Sequence, residues 1–226
     1  MFLGNVDLGE WHGAPRFNFL HDADRVMEAF YELCHAVGPK RCAFYAETPK
    51  AIEQRLDALL EEIRRHPVII PDSPSGPDLP ELVTWSKVKM LVNTALYQPV
   101  LIFETFAKVL KALEEGDGMP YWNFTTGGKP PTPICEVEVV PSDVPLVEEG
   151  TEDAGNAISC ADKWGSHRGS LEDFEDYARH LGEASSATGD VNALWMLSCL
   201  GRIVEPKFRY GGEYHADKLL LASRLC

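Results

Sequence analysis

The serine residues of this sequence stand in no complete catalytic signature. A serine nucleophile on a strand-to-helix turn needs G-x-S-x-G, because glycines on both sides permit the strained backbone, and the 226 residues do not contain it. The nearest stretch, GSHRGS at 165–170, follows no apolar strand and has the wrong spacing. Neither G-x-G-x-x-G nor H-E-x-x-H occurs. We therefore assign no catalytic residue from these motifs.

The histidines and cysteines indicate no metal site. HDAD at 21–24 and YHAD at 214–217 place a histidine beside acids, but helix capping and loop solvation explain both, and a metal ion needs more convergent ligands. The six cysteines form no C-x-x-C pair and no zinc spacing with histidine. Cys34 and Cys42 are thiol nucleophiles only in principle, with His35 adjacent. We expect neither a metal nor a cofactor.

Aromatic residues are the remaining candidates for chemistry, through binding. They are concentrated on the central predicted helices and the segment that follows them. Packing in a core is the ordinary explanation for aromatics at helical spacing, and an apolar surface that holds a ligand is the alternative. The candidate substrate-binding residues are Trp85, Tyr97, Phe103, Tyr121 and Trp122, with Phe106 as a further aromatic of the same helices.

Helices must position these residues, because six segments show helical periodicity. They are 22–39, 48–67, 81–99, 100–118, 170–185 and 190–201. The predicted buried faces are Val26, Phe30, Leu33 and Val37 in the first, Ile52, Leu56, Leu59, Leu60 and Ile63 in the second, and Phe103, Phe106, Leu110 and Leu113 in the fourth. The sixth is apolar nearly all round, which is typical of a buried helix.

The ends of these helices carry capping signals. Asp22 or Asp24 can cap the first helix, and Gly38-Pro39 ends it. In the second, Thr48 is a good N-cap and Pro49 suits the first turn. Ser170 opens the fifth in a capping box with Asp in place of Glu, and Pro99 separates the third from the fourth.

Between the helices lies a stretch of different composition, residues 119–156, rich in proline, glycine and acids. We interpret it as a long surface excursion with at most a short strand, CEVEVV. Two apolar runs, MFLG and KLLLAS, frame the helices as possible strands. Since parallel strands need a long, usually helical crossover, the helical body could join two neighbouring strands of a sheet. We expect a mainly α fold of about six helices, divided into 1–12, 13–118, 119–156, 157–212 and 213–226.

Several of these segments resemble the lid of tripeptidyl-aminopeptidase-like α/β-hydrolases, relatives of the proline iminopeptidases. The resemblance rests on 22–68, on ALYQP and FETFAKVLKALEEGDG, on AISCADKWG and SLEDFEDYARHL, and on SCLGRIVEPKFRYGG. It extends over most of residues 1–224 and is weakest in the proline-rich stretch. It implies that MFLGNVDLGEW and KLLLASRLC are core strands flanking the lid. The nucleophile of the family would then precede residue 1, and its Asp and His would follow residue 226.

The resemblance also bears on the cysteines and the compartment. Secreted relatives often have cysteines placed like Cys34 and Cys42, and like Cys160 and Cys199, which implies two disulfides or their remnants. Cys135 and Cys226 have no evident partner. The N-terminus has no basic region before its apolar residues and meets Asp7 early, so it is no secretory signal. We expect a cytoplasmic protein, or a secreted one if the true N-terminus lies upstream.

The net charge and the hydropathy of the sequence restrict the classes of partner that the protein can bind. The chain has 21 Lys and Arg against 35 Asp and Glu, a net charge of −14, which argues against binding nucleic acid or anionic membranes. A hydrophobic share of 45% fits a soluble globular protein. No apolar stretch approaches the roughly 20 residues of a membrane-spanning helix. A cationic or neutral small substrate is compatible with this balance, as is plain solubility. The candidate partners are a small apolar or peptide-like ligand, a second copy of the chain, or a partner that supplies the missing sheet.

Two functions follow as expectations. The first is a truncated hydrolase of the serine aminopeptidase type that lacks triad catalysis as this chain, because no nucleophile elbow is present. The alternative is a binding or biosynthetic accessory protein, in which the aromatic lid surface holds an apolar small molecule, alone or with a partner. Well-capped, well-patterned helices favour a retained role. Whether the chain is an enzyme is left open.

Overall fold

The computed structural model describes residues 18–73, 76–127, 151–162, 169–200 and 207–208. In these ranges the protein is mainly α, as the sequence predicts. The strands expected at 1–4 and 218–223 lie outside them. After a short 3-10 turn, Asn18–Leu20, the elements are α1 (Ala23–Val37), α2 (Pro49–Arg65), β1 (Val68–Ile70), β2 (Glu81–Val83), α3 (Trp85–Tyr97), α4 (Pro99–Glu114), α5 (Met119–Thr126), α6 (Thr151–Asp162), α7 (Leu171–Ala184) and α8 (Gly189–Leu197).

Most predicted helix ends are confirmed. The Thr48 side chain accepts the Ala51 N–H at 3.0 Å, directly before Pro49 at the start of α2. The capping box at α7 is complete, with Ser170 accepting the Asp173 N–H at 3.1 Å and donating its own N–H to that carboxylate at 2.7 Å. Asp22 does stand at the N-cap of α1, but its side chain makes no capping hydrogen bond.

The buried face of α1 differs from the predicted one. Met27, Phe30 and Cys34 are buried, whereas Leu33 is 55% exposed and Val37 is 39% exposed. The face is rotated toward Cys34 because that residue is bonded to Cys42 and both sulfurs pack in the core. Apolar periodicity alone could not choose between two overlapping stripes.

The third predicted helix begins later than expected. Residues 81–83 form strand β2, which pairs antiparallel with β1 so that Val68 faces Val83 and Ile70 faces Glu81. Helix α3 then starts at Trp85, with the Thr84 side chain accepting the Lys87 N–H at 3.4 Å. The prediction of helix over 81–83 is wrong because pairing with β1 buries Val83.

The predicted excursion over 119–156 contains helix at both of its ends. Helix α5 covers Met119–Thr126, and α6 begins at Thr151. The prolines and glycines that suggested a loop fit helix ends here, since Pro120 lies in the first turn of α5 and Gly127, with φ of 64°, ends it. CEVEVV lies outside the described residues.

One large apolar cluster holds α1–α5 and the β ribbon together, and we call this unit the body. Phe106 is central to it, with its ring 5.0 Å from that of Phe30. Arg55 ties α2 to the end of α4, since its Nε lies 2.7 Å from Glu114 Oε1 and its Nη1 donates to the Tyr45 carbonyl at 2.7 Å. That hydrogen bond from Arg55 holds the pKa of Glu114 below its usual range. The predicted faces of α2 and α4 both lie in this core.

Helices α7 and α8 form a second unit, which we call the hairpin. Its cluster is small: Leu20, Tyr177, Leu181 and Ala193. The helices come so close that a Cβ on Gly189 would overlap the Leu181 carbonyl oxygen. The prediction that α8 is buried all round is wrong, because Leu194 is 51% exposed. Its buried positions include a polar one, Asn192.

Both expected cysteine pairs are joined in the structure. Cys34 and Cys42 have Cα atoms 5.2 Å apart, and those of Cys160 and Cys199 are 5.3 Å apart. The first bond lies within the body, and the second joins α6 to the residues that follow α8. Since Cys34 and Cys42 are bonded to each other, neither is a thiol nucleophile in this state.

Candidate functional site

A cavity of about 350 Å³ opens where the hairpin meets the body. Its walls come from the short 3-10 turn, the start of α1, the end of α3 and the start of α8. This volume is at the lower end of the range of small-molecule sites. The lining residues are Phe19, Leu20, His21, Asp22, Ala23, Val26, Asn93, Leu96, Tyr97, Thr188 and Asn192.

A hydrogen-bonded polar network forms one side of this cavity. The side-chain oxygen of Asn93, Oδ1, accepts from the Thr188 hydroxyl and from Asn192 Nδ2, the latter at 3.1 Å. Asn192 Nδ2 also lies 3.0 Å from the Thr188 carbonyl oxygen. Asn192 and Thr188 are buried, and Asn93 is half-buried. The network uses the side-chain oxygen of Asn93, and no other described residue accepts from its two N–H donors, which are available to an acceptor in the cavity.

The turn between α7 and α8, residues 185–188, positions this network. Lys89, which is only 5% exposed, donates to the Ser186 carbonyl at 2.8 Å and to the Ala187 carbonyl at 2.7 Å. Its ammonium also lies 3.3 Å from the Asp190 carboxylate. A buried charge needs such partners, because an unpaired one is costly. Lys89 therefore fixes the carbonyl side of the turn to α3.

Asp24 binds the N–H and O–H groups of the same turn. Its carboxylate accepts from Ser185 Oγ at 2.5 Å, from Ser186 N at 3.0 Å and from Ala187 N at 3.2 Å. Burial acts to raise the pKa of Asp24, but these hydrogen bonds outweigh it and hold the pKa below its usual range. We call Asp24 and Lys89, with the turn between them, the clamp.

A second cavity, of about 110 Å³, lies on the other side of the clamp. Its wall includes the carboxylates of Glu28, Glu53 and Asp57 and the Tyr31 ring. Burial, and then the charge of Glu53, raise the pKa of Asp57. Burial, followed by the charges of Asp57 and Glu53, raises the pKa of the Tyr31 phenol. Among the described residues, no three metal-ligating side chains are placed to hold an ion.

The five aromatic residues predicted to bind substrate lie in several different parts of the structure. Tyr97 lines the larger cavity and is 73% exposed. Phe103 packs edge-on against Phe30 at 5.1 Å in the body. Tyr121 and Trp122 are buried in the body core. Trp85 lies under the Arg64 guanidinium, at 4.5 Å. Tyr97 is therefore the member of this set that meets the cavity.

Sequence reasoning missed the polar residues of the cavity. Lys89 and Asn93 are four residues apart and so share one side of α3, next to the buried Val88 and Val92. Polar residues that interrupt an apolar face in this way are the signal that could have singled them out. Their partners could not be found from the sequence, since Thr188 and Asn192 lie 95 and 99 residues away from Asn93.

Comparison with protein-family models, with curated proteins and with solved structures finds no match. The resemblance to α/β-hydrolase lids therefore stays an expectation from the sequence. No helix among the described residues is long and apolar enough to cross a membrane.

Proposed function

We propose that this chain is the helical cap of a hydrolase of the serine aminopeptidase type, and that the 350 Å³ cavity receives an apolar, peptide-like ligand. One observation supports the proposal: the cavity joins an apolar wall to the N–H donors of Asn93, from which no described residue accepts a hydrogen bond. Sites for small molecules combine these two properties, with the polar groups fixing orientation. A ligand with an apolar side chain next to a carbonyl acceptor satisfies both.

The proposal gives the chain a binding and covering role and no chemical step. The 226 residues contain no G-x-S-x-G, so a nucleophile of that type would come from elsewhere. Support for the cap comes from the mainly α structure and from the sequence resemblance. The acidic net charge of −14 disfavours polyanionic ligands and leaves neutral or cationic peptides.

Binding is tested by calorimetric titration of the oxidised chain with blocked amino-acid amides, such as the N-acetyl amides of Phe, Leu and Asp. We expect the apolar amides to bind and the acidic one not to bind. Val26→Phe fills the cavity, and Val37→Phe makes the same change on α1 outside it. Loss of binding in the first variant and not in the second supports the site, whereas equal binding by both refutes it.

The hydrogen bond is tested separately with Asn93→Asp. This change keeps an oxygen that can accept from Thr188 and Asn192 and removes the two N–H donors. Since a lost hydrogen bond in a site costs about 0.5–1.5 kcal/mol, we expect several-fold weaker binding of the apolar amides. Unchanged affinity would remove Asn93 from the site.

The alternative, a binding protein with no catalytic partner, would use the same cavity. The coding sequence on either side of this frame separates the two. An in-frame G-x-S-x-G upstream, with Asp and His downstream, supports the cap. A complete transcript that encodes neither overturns the cap and leaves the binding role.

A further inference from the structure

Helix α5 contains a tripeptide that matches the acceptor pattern of a covalent modification. Asn123, Phe124 and Thr125 form N-x-T, and no other asparagine of the sequence is followed by a serine or threonine two residues later. N-x-S/T with a residue other than proline in the middle is the acceptor pattern for N-linked glycans. The pattern is short, so the inference needs support from the position of Asn123 in the fold.

Asn123 is exposed on a helix whose neighbouring positions point inward. Tyr121 and Trp122 are buried, 7% and 1% exposed, and fix α5 to the body core. Asn123 falls on the opposite side and is exposed to solvent. No described residue makes a hydrogen bond to its side chain, so a substituent on the amide nitrogen breaks no hydrogen bond among the described residues. Gly127 ends the helix one turn later, with φ of 64°.

The disulfides supply independent evidence of the compartment. Cys34–Cys42 and Cys160–Cys199 are both formed. Structural disulfides persist in oxidising environments such as the endoplasmic reticulum lumen and the cell exterior, and are rare in the cytosol. N-linked glycosylation of asparagine belongs to secreted proteins. The sequence pattern and the disulfides therefore point to the same route through the cell.

We propose that Asn123 is the acceptor of an N-linked oligosaccharide and that the chain matures in the secretory pathway. The donor is a polyprenyl-diphosphate-linked oligosaccharide. The Asn123 amide nitrogen forms a bond to the anomeric carbon, and the bond from that carbon to the diphosphate oxygen breaks. The polyprenyl diphosphate leaves with the electron pair, and the amide proton passes to a base of the transferase. No atom changes its oxidation state overall. This inference does not depend on the function of the cavity.

The experiment expresses the full chain behind a cleavable leader in a eukaryotic host, followed by digestion with peptide:N-glycosidase. We expect one downward mobility step and conversion of Asn123 to Asp with incorporation of heavy oxygen from labelled water. Asn123→Gln and Thr125→Ala each abolish the step. Thr125→Ser keeps it, because the hydroxyl remains. Asn156→Gln, an asparagine outside any N-x-S/T pattern, is the matched control and keeps the full step.

A second readout makes the result independent of secretion yield. Translation in the presence of microsomes reports glycan transfer even for a variant that does not fold. The secreted glycoform should also carry both disulfides and melt at the temperature of the enzymatically deglycosylated chain. An unmodified Asn123 beside a modified reference glycoprotein overturns the proposal. So does a glycan that is found only on aggregated chains, since the site would then be incompatible with the fold.

Discussion

The body and the hairpin are both helical, but different forces hold them in place. In the body, more than twenty buried residues from five helices and a β ribbon form one apolar cluster. The second cluster has four such residues, three from α7 and α8 and Leu20 from the 3-10 turn. The hairpin is attached to the body through polar side chains: the buried ammonium of Lys89 and the carboxylate of Asp24 hold opposite groups of one turn, and the Asn93 side chain accepts from Thr188 and Asn192. Apolar packing tolerates small shifts, whereas a buried ionic network is stable only when complete. The hairpin should therefore separate from the body before the body unfolds.

Truncation of the body core has the largest expected effect. Phe106→Ala removes a fully buried ring that packs against Phe30, and should lower the free energy of unfolding by about 3–5 kcal/mol. Denaturant titration followed by far-UV circular dichroism measures it. Phe208→Ala, at a side chain that is 80% exposed, is the control and should change little. Similar losses in both variants would contradict the description of the core.

Removal of the Lys89 charge should act on the hairpin more than on the body. Lys89→Met fills the same space and leaves the carbonyl groups of Ser186 and Ala187 without their donor, at a cost of about 2–3 kcal/mol. Faster hydrogen exchange of amides in α7 and α8, with α1–α5 still protected, would sharpen the comparison. Lys87 lies on the same helix and forms a partly exposed ion pair with Glu81 of β2, so Lys87→Met should lower the free energy of unfolding by less than about 1 kcal/mol. Uniform exchange throughout the chain would count against separate opening.

Alanine substitutions at two glycines of the hairpin should change the stability of the protein in opposite directions. Gly189→Ala places a methyl group against the Leu181 carbonyl and should destabilise by about 1–3 kcal/mol. Gly182→Ala, inside α7, meets no atom within 4 Å and should stabilise by about 0.5–1 kcal/mol through helix propensity. Thermal melting of both variants checks the pair. The packing of α7 on α8 would be wrong if the two shifts had the same sign.

The smallest expected effect is the acid response of the clamp. Because the pKa of Asp24 is lower in the folded protein than its usual value of about 3.9 in an unfolded chain, its contribution to stability is complete above that value. The contribution is lost as the pH falls through the folded pKa. The protection factors of the hairpin amides, which correct for the intrinsic exchange rate at each pH, should therefore fall on acidification before those of the body. In Asp24→Asn the hairpin should be looser at neutral pH and lose this additional acid dependence.

Most of the body could be predicted from local signals in the sequence, because the interactions that set its helix ends join residues close together in the chain. Thr48 and Ser170 act on residues three positions away, and Pro99 acts on the adjacent turn, so a single sequence contains the whole interaction. The sequence did not predict the strand over 81–83 or the helix at 119–126, because contacts with residues distant in the chain determine their secondary structure. The clamp was missed for the same reason, since Asp24 and Ser185 are 161 residues apart. Asp22 or Asp24 is predicted to cap α1. Asp22 stands at the N-cap without a capping hydrogen bond, and Asp24 binds the distant turn.

The covalent connections of the chain follow the division between body and hairpin. Cys34–Cys42 closes a ring inside the body, with a separation of 8 residues, and Cys160–Cys199 closes one of 39 residues that contains the hairpin. Neither bond links the two units. Reduction of Cys34–Cys42 therefore loosens the body internally, and reduction of Cys160–Cys199 releases the end of the hairpin from α6. A denaturant can separate the hairpin from the body without breaking either of these two disulfides. A partly unfolded state with both rings closed and the clamp open is the expected product of mild denaturation. Refolding from it requires the clamp and the hydrogen bonds of Asn93 to Thr188 and Asn192 to form again.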